Sequence, residues 1–109
     1  MLKKKYRLSS KIKVKPSNSF PTDYFLLKTS KNSLLYNRFR FIVSKKVSKK
    51  AVDRNKLKRV FSGCLENIFS EIKIGNDFIF WVKKEALGVS KEMLCVNIKS
   101  ALVKGGFIK

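Results

Sequence analysis

The side chains of this chain that are equipped for chemistry are mainly cations: 26 lysines and arginines stand against seven acids, for a formal net charge of +19. Ten of these cations lie between Arg38 and Arg59, where Asp53 is the one acid. Guanidinium forks and ammonium groups bind phosphate oxygens through charge-assisted hydrogen bonds. In a chain this basic the like charges repel one another, and this repulsion must be offset by the core or by a polyanionic partner.

The residues that catalysis would need are scarce. The chain has no histidine, the side chain that most often transfers protons near neutral pH. No two of its acids form an Asp-x-Asp pair, so a two-metal site is hard to build from this chain alone. Cys64 and Cys95 belong to no Cys-x-x-Cys pair, which argues against zinc, and we expect both as small core residues in a reducing cytosol. The pattern disfavours a self-sufficient nuclease.

A long helix is predicted to position the basic cluster. Between positions 57 and 68, apolar residues recur at the i, i+3, i+4, i+7 spacing of a buried stripe. Outside this stripe, Arg54 and Lys58 form one row of the helix surface, and Asn55 and Arg59 form the next. These rows offer planar forks for phosphate and an amide group for a sugar hydroxyl or a base edge.

The turn before this helix, Val43–Lys50, carries four lysines. Cations are unfavourable at the start of an isolated helix, because its free N–H groups and its dipole are already positive there. Two interpretations are open. A phosphate binds at this turn, or the turn is a solvated basic segment of a kind that basic proteins often have.

The remaining pattern favours one α+β domain over residues 1–109, in which a single sheet packs against helices. Residues 1–19 are basic and partly irregular, and Ile12 and Val14 alternate with lysines as in a short edge strand. Because no apolar run is long enough for a membrane span or a signal peptide, we expect a cytoplasmic protein. The predicted elements are strands at Tyr24–Lys28, Arg38–Val43 and Phe78–Val82 (the last covered on both sides), a helix at Lys49–Phe69 and a final helix that Ser90 caps and Gly105-Gly106 ends.

The stretch Val43–Arg59 resembles the signature of the bacterial ribonuclease P protein subunit, with its Val-Ser-Lys-Lys strand end and the helix motif Arg54-Asn55-x-x-Lys58-Arg59. The resemblance covers most of the chain from Tyr24 onward. It implies a two-layer sandwich of a mixed sheet with a central basic helix, a C-terminal helix and a left-handed βαβ crossover, against the usual right-handed rule. It also implies an accessory subunit of an endoribonuclease whose RNA holds Mg²⁺ and removes the 5′ leader of precursor tRNA.

By the same resemblance, particular residues of this chain are candidates for RNA contact. None is expected to be catalytic or to hold a metal, and the expected partners are the catalytic RNA and precursor tRNA rather than DNA or a membrane. Phe25 and Leu27 match the strand that lines the family's leader groove, where such groups pack against splayed bases. The alternative is ordinary core, which we favour for Phe39 and Phe41. The candidates for contact with the catalytic RNA are Lys45, Lys46, Lys49, Lys50, Arg54, Asn55, Lys56, Lys58 and Arg59.

The chain departs from the family pattern in several places. The opening amphipathic helix, which forms one wall of the groove, is predicted to be reduced or absent because the segment before Phe20 is short and Pro16 interrupts it. Arg40 and Ser48 stand where glycines are common, and Val60-Phe61-Ser62 replaces a turn that usually holds an arginine and a glutamate. These departures imply weaker leader contacts, or an RNA that has changed to suit.

Three other functions stay open from the residues alone. A ribosomal or other structural RNA-binding protein would use the same basic helix without turnover. A self-sufficient nuclease would need groups that the chain lacks. Binding to anionic membranes through the basic N-terminus would need a large apolar face, which that segment does not have.

Overall fold

A computed structural model describes residues 2–9, 12 and 15–108. Its four-stranded sheet has the order β1-β2-β4-β3, in which β2 pairs antiparallel with both β1 and β4, and β3 pairs parallel with β4. This architecture confirms the predicted α+β fold with a mixed sheet. The elements are β1 (Asn18–Pro21), β2 (Phe25–Lys31), β3 (Arg38–Ile42), α1 (Ala51–Asn67), β4 (Asn76–Val82) and α2 (Lys91–Lys104), with short 3₁₀ turns at Lys4–Tyr6, Phe69–Glu71 and Lys84–Ala86.

Helix α1 forms the connection between the parallel strands β3 and β4. Parallel neighbours need a long crossover rather than a hairpin, and a helix is its usual form. The lysine-rich turn between β3 and α1 therefore follows the edge strand β3, and its position is set by that strand on one side and by the helix on the other. The left hand of this crossover stays a prediction.

One face of the sheet packs against both helices. Phe25 of β2 and Phe80 of β4 are fully buried, and the ring of Phe61 from α1 lies 5.7 and 5.9 Å from their ring centroids. Leu94 and Ile98 of α2 belong to the same buried cluster. Because the apolar side chains of β2 alternate, its even-numbered residues face away from the helices.

The opposite face of the sheet is open among the described residues. Trp81 of β4 is 44% exposed, so the prediction that Phe78–Val82 is covered on both sides is wrong. Both helices lie in one layer, and a two-layer sandwich leaves the other face of its sheet to solvent. Ile79 also belongs to the open face, but it is buried because it lies between its strand neighbours Lys28 and Arg40. An apolar residue is therefore accommodated at this position without a second layer over the sheet.

Local chemistry explains the bounds of the helices. Ser90 caps α2 by accepting a hydrogen bond from the Met93 N–H at 3.2 Å, as predicted. The chain leaves α2 through Gly106, whose φ of +79° is a conformation that glycine adopts without a steric cost. Helix α1 has no such cap, since its first flanking residue is Lys50. Four residues of the predicted stripe are buried and two are partly buried against the core, while Ser62 is buried without having been predicted; the stripe comprises Leu57, Val60, Phe61, Cys64, Leu65 and Ile68.

The N-terminal region differs from the prediction in one element. Strand β1 begins at Asn18, within the segment that we expected to be partly irregular, and Pro21 is accommodated because β1 is an edge strand. The edge strand predicted around Ile12 and Val14 rests largely on residues outside the described ones. Among the described residues before residue 10, the chain forms the 3₁₀ turn Lys4–Tyr6. The predicted reduction of the opening helix concerns a segment that lies partly outside the described residues and stays a prediction.

The two cysteines correct the sequence-based expectation of separate reduced thiols. Cys64 on α1 and Cys95 on α2 form a disulfide, although 31 positions separate them in the chain. The two helices lie side by side against the sheet, which brings residues from distant parts of the sequence together. Among the residues that the structure describes, no helix has the length and apolar character that crossing a membrane requires.

Candidate nucleic-acid interface

The basic turn, residues 44–50, is anchored by two buried valines. Val43 and Val47 are 8% and 5% exposed, and the Val47 N–H donates to the Ser44 carbonyl oxygen at 3.0 Å. Because these side chains point into the core, the residues between and after them project outward. All four lysines of the basic turn, Lys45, Lys46, Lys49 and Lys50, are exposed.

Ser48 organises the junction between the basic turn and α1. Its hydroxyl donates to Asp53 Oδ2 at 3.0 Å and accepts from the Lys50 N–H at 3.2 Å. Ser48 thereby links the backbone at Lys50, just before α1, to the side chain of Asp53 in the first turn of the helix. Ser48 appeared in the sequence only as a replacement of a frequent glycine; in the structure it ties the one acid of this region to the turn.

Arg54 holds the basic turn from the other side. Its Nη1 donates to the carbonyl oxygens of Ser48 and Lys49 at 2.9 and 3.0 Å. The guanidinium is planar and carries five N–H donors, so this contact leaves further donors for an external acceptor. Arg54 therefore positions the turn, in addition to the phosphate contact predicted for it.

The other candidates on α1 differ in how exposed their side chains are. Asn55 and Arg59 are exposed and Lys58 is half-buried, which agrees with their predicted rows outside the buried stripe. Lys56 is also exposed, but it lines a separate cleft beside Leu87, so it lies on the flank of the surface that faces the 3₁₀ turn before α2. We call Arg54, Asn55, Lys58 and Arg59 the basic helix face.

The cations of this region are not neutralised by the acids nearby. In the described part of the chain, the ion pairs given by the structure are Arg38–Asp77 and Lys99–Glu71, and neither involves the basic turn or the basic helix face. Asp53, the one acid between positions 38 and 59, receives the hydroxyl of Ser48. A basic surface without paired acids is suited to a polyanionic partner.

A groove of about 500 Å³ joins the basic turn to the open face of the sheet. Its apolar floor is formed by Ile42 and Trp81, and Lys45 and Lys46 stand at its rim. The Nζ atom of Lys28 lies 5.5 Å from the centroid of the Trp81 indole ring. An exposed indole flanked by lysines combines a stacking surface for a base with cations for the neighbouring phosphates.

The prediction that Phe25 and Leu27 line a leader groove is wrong. Both are 0% exposed and lie in the core beneath α1, which is the alternative that the sequence also allowed. Side chains alternate between the faces of a strand, so the solvent-facing positions of β2 are the even ones, Leu26 and Lys28. Phe39, at 2% exposure, and the partly buried Phe41 belong to the core, as favoured.

Arg38 and Asp77 fix the far end of the open face. The guanidinium binds the carboxylate in a bidentate manner, with Nε–Oδ1 and Nη2–Oδ2 both at 2.8 Å. Asn32 adds a hydrogen bond from Nδ2 to Asp77 Oδ1 at 2.9 Å. The hydrogen bond to Asp77 and the charge of its carboxylate raise the pKa of Arg38 above its ordinary value, against the opposing effect of burial. Arg38 is thus committed to the fold, which distinguishes it from the unpaired cations of the basic turn.

Sequence reasoning missed Trp81 and Lys28 as site residues. The available signal was the alternation of side chains between the two faces of a strand. Once Phe25 and Phe80 are assigned to the core, Lys28 and Trp81 must lie on the other face of the sheet. The sequence alone did not tell which of the two faces of the sheet the helices cover.

Comparison with known proteins gives a consistent result. The family model described as Ribonuclease P matches residues 2–105. The ribonuclease P protein component of Microcystis aeruginosa is 38% identical over 72 residues, which cover 66% of this chain and 60% of that protein. The corresponding protein of Fusobacterium nucleatum is 40% identical over 68 residues, covering 62% of this chain and 60% of that protein. The matched segments thus span about 60% of the length of these curated relatives.

Solved structures share the fold. The ribonuclease P protein of Thermotoga maritima superposes with a TM-score of 0.74 at 25% identity, over 80% of this chain and 82% of that one. That of Staphylococcus aureus superposes with a TM-score of 0.71 over 100% of this chain and 96% of that one. At 22% identity the latter likeness concerns the fold alone.

Proposed function

This chain belongs to the ribonuclease P family, and from that premise we propose that it is the protein subunit of a ribonuclease P holoenzyme. In this proposal it binds a catalytic RNA and the 5′ leader of precursor tRNA, and it assists the endonucleolytic removal of the leader. The family match disfavours the alternative of a ribosomal or other structural RNA-binding protein without turnover. The proposed partners include neither DNA nor a membrane, and the proposed compartment is the cytoplasm.

The observation that carries this proposal is the unpaired basic surface. Four lysines of the basic turn and the cations of the basic helix face are presented on one preorganised junction. Holding these cations in place before binding reduces the side-chain ordering that association would otherwise cost. A folded RNA, with its closely spaced phosphates, is the partner that such a surface fits.

The acids of the chain do not suit a magnesium site. Within the described residues, no three side chains among Asp, Glu, Cys and His come together in a way that could hold a metal ion. Asp53 is engaged by Ser48, and Asp77 by Arg38 and Asn32. We therefore propose that Mg²⁺ is held by the RNA and that this chain contributes binding and charge neutralisation.

The open face of the sheet is our proposed surface for the leader, in place of the buried Phe25 and Leu27. Leu26 and Lys28 of β2 lie beside Trp81, which is paired with Leu26 in the β2–β4 ladder. The groove at Trp81 leads directly to Lys45 on the basic turn. Bases of a single strand stack on an aromatic ring without strict sequence choice, which is what a leader of variable sequence requires.

Reconstitution tests the proposed function. Precursor tRNA is incubated at low Mg²⁺ with the protein alone, with an in vitro transcribed bacterial ribonuclease P RNA alone, and with both. Cleavage at the mature 5′ end only in the mixture supports the proposal. Cleavage by the protein alone would contradict it in favour of a self-sufficient nuclease, and no stimulation of the RNA would favour a structural RNA-binding protein.

A further inference from the structure

Four cations lie within five consecutive residues near the start of the chain: Lys3, Lys4, Lys5 and Arg7. All four are exposed, and the segment Leu2–Leu8, which we call the N-terminal arm, contains no acid. Like charges held this close together repel one another. A chain segment of this kind, if it had no partner, would be expected to stay solvated and irregular.

The N-terminal arm is instead fastened at both ends. Leu2 and Leu8 are 4% and 5% exposed. The Leu8 N–H donates to the carbonyl oxygen of Phe39 at 2.8 Å, and Arg7 pairs with Phe39 as a parallel bridge on β3. At the other end the Leu2 N–H donates to Ser62 Oγ on α1 at 3.4 Å. The cations of the arm are therefore held on the surface of the domain.

The arm continues the surface formed by the basic helix face. Ser62 follows Arg54 and Lys58 at intervals of four residues, so the three form one row along α1. The rise from Arg54 to Ser62 is about 12 Å at 1.5 Å per residue. An RNA strand that follows this row of α1 from the basic turn would therefore reach the N-terminal arm at the Ser62 end of the row.

An aromatic pocket accompanies these cations. Tyr6 packs against Phe69 with ring centroids 4.8 Å apart, and the two rings line a pocket of about 260 Å³ together with Leu2, Lys3 and the acid Glu66. The Nζ atom of Lys5 lies over Tyr6, at 5.3 Å from its ring centroid. Lysines next to exposed aromatic edges are suited to a nucleotide, with the phosphate at the ammonium groups and the base at the rings.

We infer that the N-terminal arm is a second phosphate-binding element, which contacts the same RNA as the basic helix face. This inference rests on the proposed function. RNA fits the arm better than a membrane does, because the apolar residues of the arm, Leu2 and Leu8, are buried and nothing remains to insert into lipid.

The test compares two variants with the same net charge. The arm variant is Lys3→Gln/Lys4→Gln/Lys5→Gln; Arg7 is kept because its Nε donates to the Leu2 carbonyl oxygen at 3.0 Å and supports the arm itself. The control is Lys73→Gln/Lys84→Gln/Lys104→Gln, which removes three exposed lysines from other elements. The probe is a bacterial ribonuclease P RNA, and its affinity is measured over a range of salt concentrations.

Log affinity falls as log salt rises, and each lost phosphate contact is expected to make this slope shallower by about 0.7 to 0.9. We expect the arm variant to make the slope shallower by about 2 and the control to leave the slope nearly unchanged. The double variant Lys3→Gln/Lys4→Gln, which retains Lys5 over Tyr6, gives the same comparison if the triple variant is less stable. Equal changes in the arm variant and the control would overturn the inference, since net charge alone would then explain them.

The failures of the two proposals are distinguishable. If the unaltered protein stimulates the RNA while the arm variant behaves as the control does, the second phosphate-binding element is refuted and the proposed function stands. If the unaltered protein neither binds nor stimulates the RNA, both are refuted. Loss of binding to phosphatidylserine vesicles by the arm variant, with an unchanged salt slope for RNA, would assign the arm to a membrane and overturn the inference.

Discussion

The guanidinium of Arg54 donates from a single nitrogen, Nη1, to the carbonyl oxygens of Ser48 and Lys49, at 2.9 and 3.0 Å. This contact links the first turn of α1 to the basic turn before it. It gives one side chain two tasks, since the remaining donors of the guanidinium are available to a phosphate. Arg59, one turn further along the basic helix face, is exposed and provides the natural comparison.

We expect Arg54→Ala and Arg59→Ala to differ in stability but to resemble each other in RNA binding. Loss of the Arg54 hydrogen bonds should lower the free energy of unfolding by about 1 to 2 kcal/mol, whereas Arg59→Ala should leave it nearly unchanged. Each should reduce the salt slope of RNA affinity by about one phosphate contact. Urea unfolding and salt-dependent binding check both expectations. An unchanged slope in a folded Arg59→Ala protein would remove that residue from the interface.

Trp81→Ala is expected to weaken the binding of a single-stranded leader without loss of stability. The indole is 44% exposed, and stacking of one base on an aromatic ring contributes about 1 to 3 kcal/mol, so affinity should fall by about fivefold to 150-fold. Trp81→Phe should retain most of it. Leu35→Ala, at a position 86% exposed on the β2–β3 loop, is the control, and equal losses from both alanine variants would contradict the assignment of the leader to this face.

Phe25→Ala should show the opposite behaviour. Its ring is fully buried against Phe61 and Phe80, and truncation of a buried phenylalanine costs about 3 to 5 kcal/mol. We expect a large loss of stability by denaturant unfolding. Among molecules that remain folded, discrimination between substrates with and without a leader should be unchanged; selective loss of that discrimination would restore Phe25 as a leader contact.

These two variants mark what the sequence could and could not predict. The basic helix face follows from local periodicity, so Asn55 and Arg59 were placed on its outer rows from the sequence alone. The choice between Phe25 and Trp81 depends on which face of the sheet the helices cover, and that is decided by packing between segments far apart in the chain. The disulfide between Cys64 and Cys95 was not predicted, for the same reason: the packing of α1 against α2 brings together two cysteines that are far apart in the sequence.

Asp77→Ala should destabilise the protein by about 3 kcal/mol. Its carboxylate is almost fully buried and paired with Arg38, and removal of one partner leaves the other charge uncompensated. Because the pKa of Arg38 is raised, the stability that this arginine gains is fully present below its unfolded-state pKa and is lost only as pH rises through the folded-state value, so it is constant near neutral pH. A double-mutant cycle with Arg38→Ala measures the coupling, and a coupling near zero would contradict this account.

Reduction of the Cys64–Cys95 disulfide should lower stability and leave RNA binding intact. The bond closes a loop over 31 positions, for which the chain-entropy model gives about 3 to 4 kcal/mol. The basic helix face and the basic turn keep their own hydrogen bonds without it. Unfolding with and without a thiol reductant measures the effect, and Cys64→Ser/Cys95→Ser should not respond to the reductant. A large fall in RNA affinity on reduction would show that the disulfide also holds the interface.

The central claim is that this chain supplies fixed cations to an RNA that performs the cleavage. The most direct measurement is the Mg²⁺ concentration that a bacterial ribonuclease P RNA needs for cleavage of precursor tRNA. It is determined with the protein, without it, and with a variant in which Lys45, Lys46, Lys49 and Lys50 are changed to glutamine. We predict that the protein lowers this concentration and that the variant, although folded, does so far less. Equal activity of the variant, or cleavage by the protein without RNA, would contradict the claim.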